Sequence, residues 1–151
     1  MSVNPFDIKQ ALLAKHAQHV VLIHFPIALF LAGVGFDLAA QWTKSRMLAA
    51  AAYYNFAVAA ASAIPVLATG LLAWQFQLGG GKLKGLLLLH LILGVSSATM
   101  IGAIWFLHFR SRRAPERMLP AYRVPLELLG VVTIALTAHL GGFLSGVNIP
   151  S

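Results

Sequence analysis

Four long apolar runs, separated by short polar, glycine- or proline-bearing stretches, dominate the chain: about residues 20–42, 48–76, 83–109 and 123–146. Each is long enough, at about 1.5 Å of rise per helical residue, to cross a hydrocarbon core of about 30 Å. Between them lie a short break near Lys44, a tight turn from Gln77 to Lys84 carrying Gly79-Gly80-Gly81, and a basic loop from Arg110 to Arg123 with Pro115 and Pro120. Short connections make consecutive helices antiparallel neighbours. The pattern therefore predicts an all-α fold, an integral membrane four-helix bundle of up-down-up-down topology forming a single domain over residues 1–151. Ahead of it, residues 4–18 open on Asn4-Pro5 and mix Phe6, Ile8, Leu12 and Leu13 with Lys9, Lys15 and His16. That stretch reads as a short helix lying at the membrane interface.

Two prolines sit inside runs. Pro26 either removes a backbone bond from the first helix or marks its first turn. Pro65, near the middle of the second run, predicts a kink, with Ser62 available to satisfy the freed carbonyl. Gly33, Gly35, Ala57, Ala61, Gly94 and Gly102 are small enough to let helices approach closely.

Composition agrees with a bilayer. Hydrophobic residues make up 59% of the chain and charged residues 10%, too few to coat a water-soluble globule. Mean hydropathy is +0.80, in keeping with this. The formal charge of +7 would raise nucleic acid as a partner for a soluble protein. Here the positive residues cluster in loops, where membrane orientation explains them, and nucleic-acid binding is discarded. Lys44, Arg46, Arg110, Arg112, Arg113, Arg117 and Arg123 lie at one face; Lys9, Lys15, Lys82 and Lys84 lie at the other. The first face is expected to be cytoplasmic, which places both termini and the triple-glycine turn in the periplasm of a bacterial inner-membrane protein. The first run is too long for a signal-peptide core and follows a polar stretch, so it is expected to be retained. With no cysteine in the chain, disulfides, thiolate clusters and covalent c-type haem attachment are excluded.

Ionisable side chains inside hydrocarbon are costly and usually mark function or a buried partner. His24, His90 and His139 fall within the first, third and fourth runs. Alternating helix direction brings all three to a similar depth near the outer face, with His19 closer to water. Histidines on facing helices of a bundle suit b-type haem, and two axial imidazoles suit electron transfer. Copper or zinc is an alternative. Gly94, four residues from His90, and Gly142, three from His139, with Gly141 beside it, leave room for a flat ring. The plain alternative is a set of histidines that hydrogen-bond between helices. His16 and His108, near the ends of their segments, read as interfacial.

Asp37 and Glu127 are the carboxylates within the runs, both toward the cytoplasmic end. They read as partners of Arg123, Lys44 or Arg46 before they read as a proton path or a quinone contact. Trp42, Trp74, Trp105, Tyr53, Tyr54 and Tyr122 mostly sit near run ends, as an aromatic belt predicts. Met100 lies about ten residues beyond His90 and reads as packing. No nucleophile–base pair, phosphate loop or metalloprotease helix is present, so hydrolysis and group transfer are not expected.

The chain resembles an uncharacterised bacterial family of small four-helix membrane proteins. The resemblance rests on His19-x4-His24-Phe25-Pro26-Ile27-Ala28-Leu29, His90-x3-Gly94 and Thr137-Ala138-His139-Leu140-Gly141-Gly142, and covers about residues 19–146. It implies a b-type cytochrome module, sometimes fused to Rieske or c-type cytochrome domains, with ligands among His19, His24, His90 and His139. The resulting expectation is a haem b subunit that passes electrons between the quinone pool and a separate periplasmic redox protein, and does not catalyse turnover alone. A structural or assembly subunit of a larger membrane complex, without its own cofactor, is the competing expectation.

Overall fold

The computed structural model of the protein describes residues 15–113 and 119–145, and the described residues are helical with no strand. In chain order the helices are α1 (Lys15–Leu22), α2 (His24–Thr43), α3 (Arg46–Gln77), α4 (Gly85–Arg113) and α5 (Arg123–Leu144). Four stretches are long and apolar enough to cross a membrane: Gln18–Thr43, Arg46–Phe76, Gly85–Arg113 and Arg123–Leu144. The expected all-α four-helix bundle is the architecture observed. Of the interfacial helix expected over residues 4–18, residues 4–14 lie outside the described residues. Residues 15–18 belong to α1, which leads directly into the first span.

The junction between α1 and α2 is a one-residue fault in a nearly continuous rod. Ile23 keeps helical angles, φ −59° and ψ −27°. Its N–H donates to the His19 carbonyl at 3.0 Å, and the Ile27 N–H donates to the Ile23 carbonyl at 3.4 Å. Pro26 has no N–H to give Leu22, and this missing bond accounts for the interruption. At the other end of α2, Lys44 takes the left-handed conformation, φ 56°. Ser45 then caps α3 by accepting the Leu48 N–H at 3.3 Å, so two residues suffice to reverse the chain. Between α3 and α4, Gly79 and Gly80 at φ 62° and 61° supply the backbone that side chains disfavour, and Trp74 Nε1 donates to the Gly81 carbonyl at 3.0 Å. α3 continues through Pro65. Ser62 Oγ donates to the Ala59 carbonyl at 3.0 Å, rather than to the Ala61 carbonyl that the proline leaves without its helical donor.

α2 packs along α3, α3 along α4 and α4 along α5, with α5 returning to α2; α1 leans on the end of α3. Large apolar side chains such as Leu31, Ile64, Ile92 and Leu129 point outward and stay exposed, as lipid-facing residues do. Trp42, Tyr54 and Tyr122 are exposed together at the arginine-bearing end. There Arg112 lies 4.4 Å over the Tyr53 ring and Arg113 4.4 Å over Phe109. The interior is a small core of Phe30, Val34, Ala52, Phe56, Ala59, Ile101, Ile104 and Ile134. A cavity lies on its triple-glycine side, and a buried polar cluster on its arginine side.

Candidate functional site

The cavity has a volume of about 300 Å³ and takes its walls from every helix. On α5 and its C-cap its lining residues are Ile134, Thr137, Ala138, Gly141, Leu144 and Ser145, and on α4 they include Leu87, His90, Gly94, Ser97 and Ile101. These spacings of three and four residues trace one face of each helix. His19 contributes from α1.

His19 and His90 are seated in the same way, one in each of two helix pairs. His90 Nδ1 lies 3.1 Å from the main-chain oxygen of Thr137 on α5. A carbonyl only accepts, so the imidazole proton is on Nδ1 and the lone pair on Nε2. The ring reaches that carbonyl because position 141 has no side chain: a Cβ there would stand 3.2 Å from His90 Cε1. His19 Nδ1 lies 3.2 Å from Thr69 Oγ1 on α3. The Thr69 hydroxyl directs its one hydrogen to helix carbonyls, Pro65 O at 2.9 Å and Val66 O at 3.0 Å, and so offers the imidazole a lone pair. The same arrangement suits His19 as an Nδ1–H tautomer. A Cβ on the neighbouring Gly70 would stand 3.0 Å from His19 Cε1. At the floor, Thr137 Oγ1 donates to the Thr133 carbonyl at 2.8 Å, which leaves buried Ser97 Oγ as donor across the 3.1 Å separation from Thr137 Oγ1.

His24 and His139 are placed differently. Five residues on from His19, at about 100° per residue, His24 is turned about 140° away. It is exposed, with Nδ1 3.4 Å from the Val21 carbonyl. His139 is also exposed, edge-on to Phe143 with centroids 5.0 Å apart. It sits two residues from both Thr137 and Gly141, hence on the opposite side of α5. Neither ring lines the cavity, and Gly142 does not either; its carbonyl accepts from Ser145 Oγ at 3.1 Å. Of the sequence candidates, the structure brings together His19, His90 and Gly94. The Gly94 position is 3.9 Å from Thr137 Cγ2, an ordinary contact. Thr69, Gly70 and Thr137 were not singled out as histidine seats. The Thr137-x3-Gly141 spacing and the Thr69-Gly70 pair were the available signals.

At the opposite end, Arg123 Nε donates to Asp37 Oδ2 at 3.0 Å, the pairing expected for Asp37, and Gln41 Nε2 donates to the same oxygen at 2.9 Å. His108, expected at the interface, is buried at 4% exposure, with Nε2 3.2 Å from Glu127 Oε1 and its ring 4.8 Å from that of Phe56. It lies near the helix end yet on the inward face, one turn beyond Ile104. Among the described residues, Asp37, His108 and Glu127 are the group of three or more potential ligands whose donor atoms lie within 4.8 Å of one another. His24, His90 and His139 do not form such a group.

No curated protein and no solved structure matches the chain significantly. A family model does, over residues 15–147, which include all the described residues and both cavity histidines. The chain thus belongs to the DUF2231 family, described as a predicted membrane protein.

Proposed function

We propose that the cavity seats a b-type haem between His19 and His90, and that the chain is the electron-transferring membrane subunit of a redox complex. The matched seating of the two imidazoles carries this reading. Metal-ligating histidines as a rule give their second ring N–H to an oxygen acceptor, which fixes the tautomer and leaves Nε2 as the ligating atom. Both cavity histidines turn Nδ1 toward an oxygen of a neighbouring helix, and each stands against a glycine. The cavity's volume of about 300 Å³ is at the small end of the range for organic ligands, and its walls are mostly leucine, isoleucine, valine and alanine. Gly94 leaves room along one side for a planar edge, while the space over Gly70 and Gly141 is taken by the His19 and His90 rings.

Bound there, haem would supply one-electron chemistry. His19 and His90 would hold it, and the apolar walls would exclude water and so help to set its potential. The excess of Lys and Arg at the other end supports a bacterial inner-membrane protein with its termini in the periplasm and the cavity toward that side. The quinone pool and a separate periplasmic redox protein are then the natural electron partners, with turnover of substrate left to a partner chain.

The test is the absorption spectrum of the purified, dithionite-reduced protein prepared with haem available. A sharp b-type α-band, lost in His19→Ala and in His90→Ala but kept in His24→Ala and His139→Ala, is expected. Folded protein with no such band overturns the proposal. Elemental analysis would then show zinc or copper, or no metal, the last being the result for an assembly subunit.

A further inference from the structure

Glu127 is fully buried, yet its two oxygens are treated differently. Oε1 lies 3.2 Å from His108 Nε2, while Oε2 has no hydrogen-bond partner among the described residues. The neighbouring carboxylate is held: Asp37 Oδ2 accepts from both Arg123 and Gln41. Buried polar atoms are almost always paired, so an open carboxyl oxygen inside a charged cluster marks a place where something is taken up.

Counting charge decides what that is. Asp37 and Arg123 cancel. With no proton on Glu127 and His108 the cluster carries −1, with two protons +1, and with one it is neutral. Net charge held away from water is expensive, so the one-proton state is favoured. A divalent cation on Asp37, His108 and Glu127, beside Arg123, would leave +1, which disfavours a metal. The charges acting on Glu127 are those of His108, Asp37 and Arg123. From α3 the packed group is the uncharged Phe56 ring, and Arg112, one turn beyond His108, is turned over Tyr53 and Tyr54.

We infer that His108 and Glu127 form a proton-binding site, sharing one exchangeable proton that arrives from and returns to water at the arginine end by way of Glu127 Oε2. In one form the proton is on the carboxyl and His108 is neutral; in the other it is on His108 Nε2 and Glu127 is a carboxylate. Nothing is oxidised or reduced in this step. The site lies across the Phe30–Phe56 core from the cavity and does not depend on what the cavity holds.

Infrared spectroscopy of the full chain in lipid nanodiscs tests this. In His108→Gln the proton has nowhere to rest except Glu127. A protonated carboxylic-acid band is expected at neutral pH, absent from the His108→Gln/Glu127→Gln double variant and shifted within minutes of transfer into D2O. A missing band, or one that D2O leaves unmoved, overturns the inference. So does stoichiometric zinc or manganese binding by the unmutated chain that Glu127→Gln abolishes. Should His108→Gln fail to fold, a second measurement decides. Glu116 and Glu127 are the chain's two glutamates. Labelled glutamate in Glu116→Gln therefore reports Glu127 alone, and read together with the His108 signal of labelled histidine, assigned by its loss in His108→Asn, it should count one proton on the pair at neutral pH. A count of none or two overturns it.

Discussion

Phe30 fills the space that a side chain at position 130 would need: a Cβ on Gly130 would stand 2.8 Å from Phe30 Cζ. Phe56 uses Gly33 in the same way, at 2.7 Å from its Cε1. The two rings touch, with centroids 5.6 Å apart and planes tilted by 52°. A ring of α2 is thus sunk into α5 and a ring of α3 into α2, and this layer separates the cavity from the Asp37–Glu127 cluster. Without a hydrophobic force between helices in lipid, such close packing is what holds them together. Overpacking it costs about 1–3 kcal/mol. Gly130→Ala and Gly33→Ala should each lower the thermal midpoint in detergent by several degrees. Gly35→Ala, whose Cβ meets nothing within 4 Å, should leave it unchanged or slightly raised. Equal midpoints for all three would remove the interlock.

The cavity side of α5 is equally specific. Gly141 lies under the His90 ring and Gly142 is not among the cavity's lining residues, so Gly141→Val should push the imidazole away from the Thr137 carbonyl while Gly142→Val should leave it seated. Haem content per folded protein should fall severalfold in the first variant and stay within the error of wild type in the second. Comparable losses in both would mean that α5 presents another face to the cofactor.

At the arginine end, Asp37 and Arg123 neutralise one another at 2% and 10% side-chain exposure. Removing one partner from a buried pair strands the other charge and costs about 3–5 kcal/mol, whereas removing both costs much less. Asp37→Asn should therefore destabilise the bundle strongly in a denaturant titration, and Asp37→Asn/Arg123→Gln should recover much of the loss. An additive double variant would show that the two side chains do not depend on each other.

The spans were legible because the bilayer demands long apolar runs whatever the protein does, and the helix limits at Thr43, Gln77 and Arg123 follow the polar breaks. Rotation about the helix axes was not legible. In a soluble helix the polar face shows which side is inward, but here Leu129 faces lipid and Ile134 faces the core with the same chemistry. Depth alone grouped His24, His90 and His139, and phase separates them. His108 was misread for the related reason that nearness to a helix end says nothing about facing inward. Its partner Glu127 is 19 residues away on another helix, beyond any local pattern.

The two seated histidines differ in one respect that gives the sharpest test. His90 is held by the main chain of Thr137, and His19 by the side chain of Thr69. Thr137→Val keeps the carbonyl and loses only the hydroxyl's contacts with Ser97 and the Thr133 carbonyl, so His90 should stay in place and haem affinity should change little. Thr69→Val removes the acceptor that orients His19 at the cost of a single atom's chemistry. Loss of such an outer partner typically weakens metal binding about 10–100-fold. Haem titration of the two apo variants should therefore separate them by at least tenfold, and Thr69→Ser, which restores the hydroxyl, should return toward wild type. If Thr69→Val and Thr137→Val bind alike, His19 is not one of the residues that would hold the haem, and His90 would need a different partner.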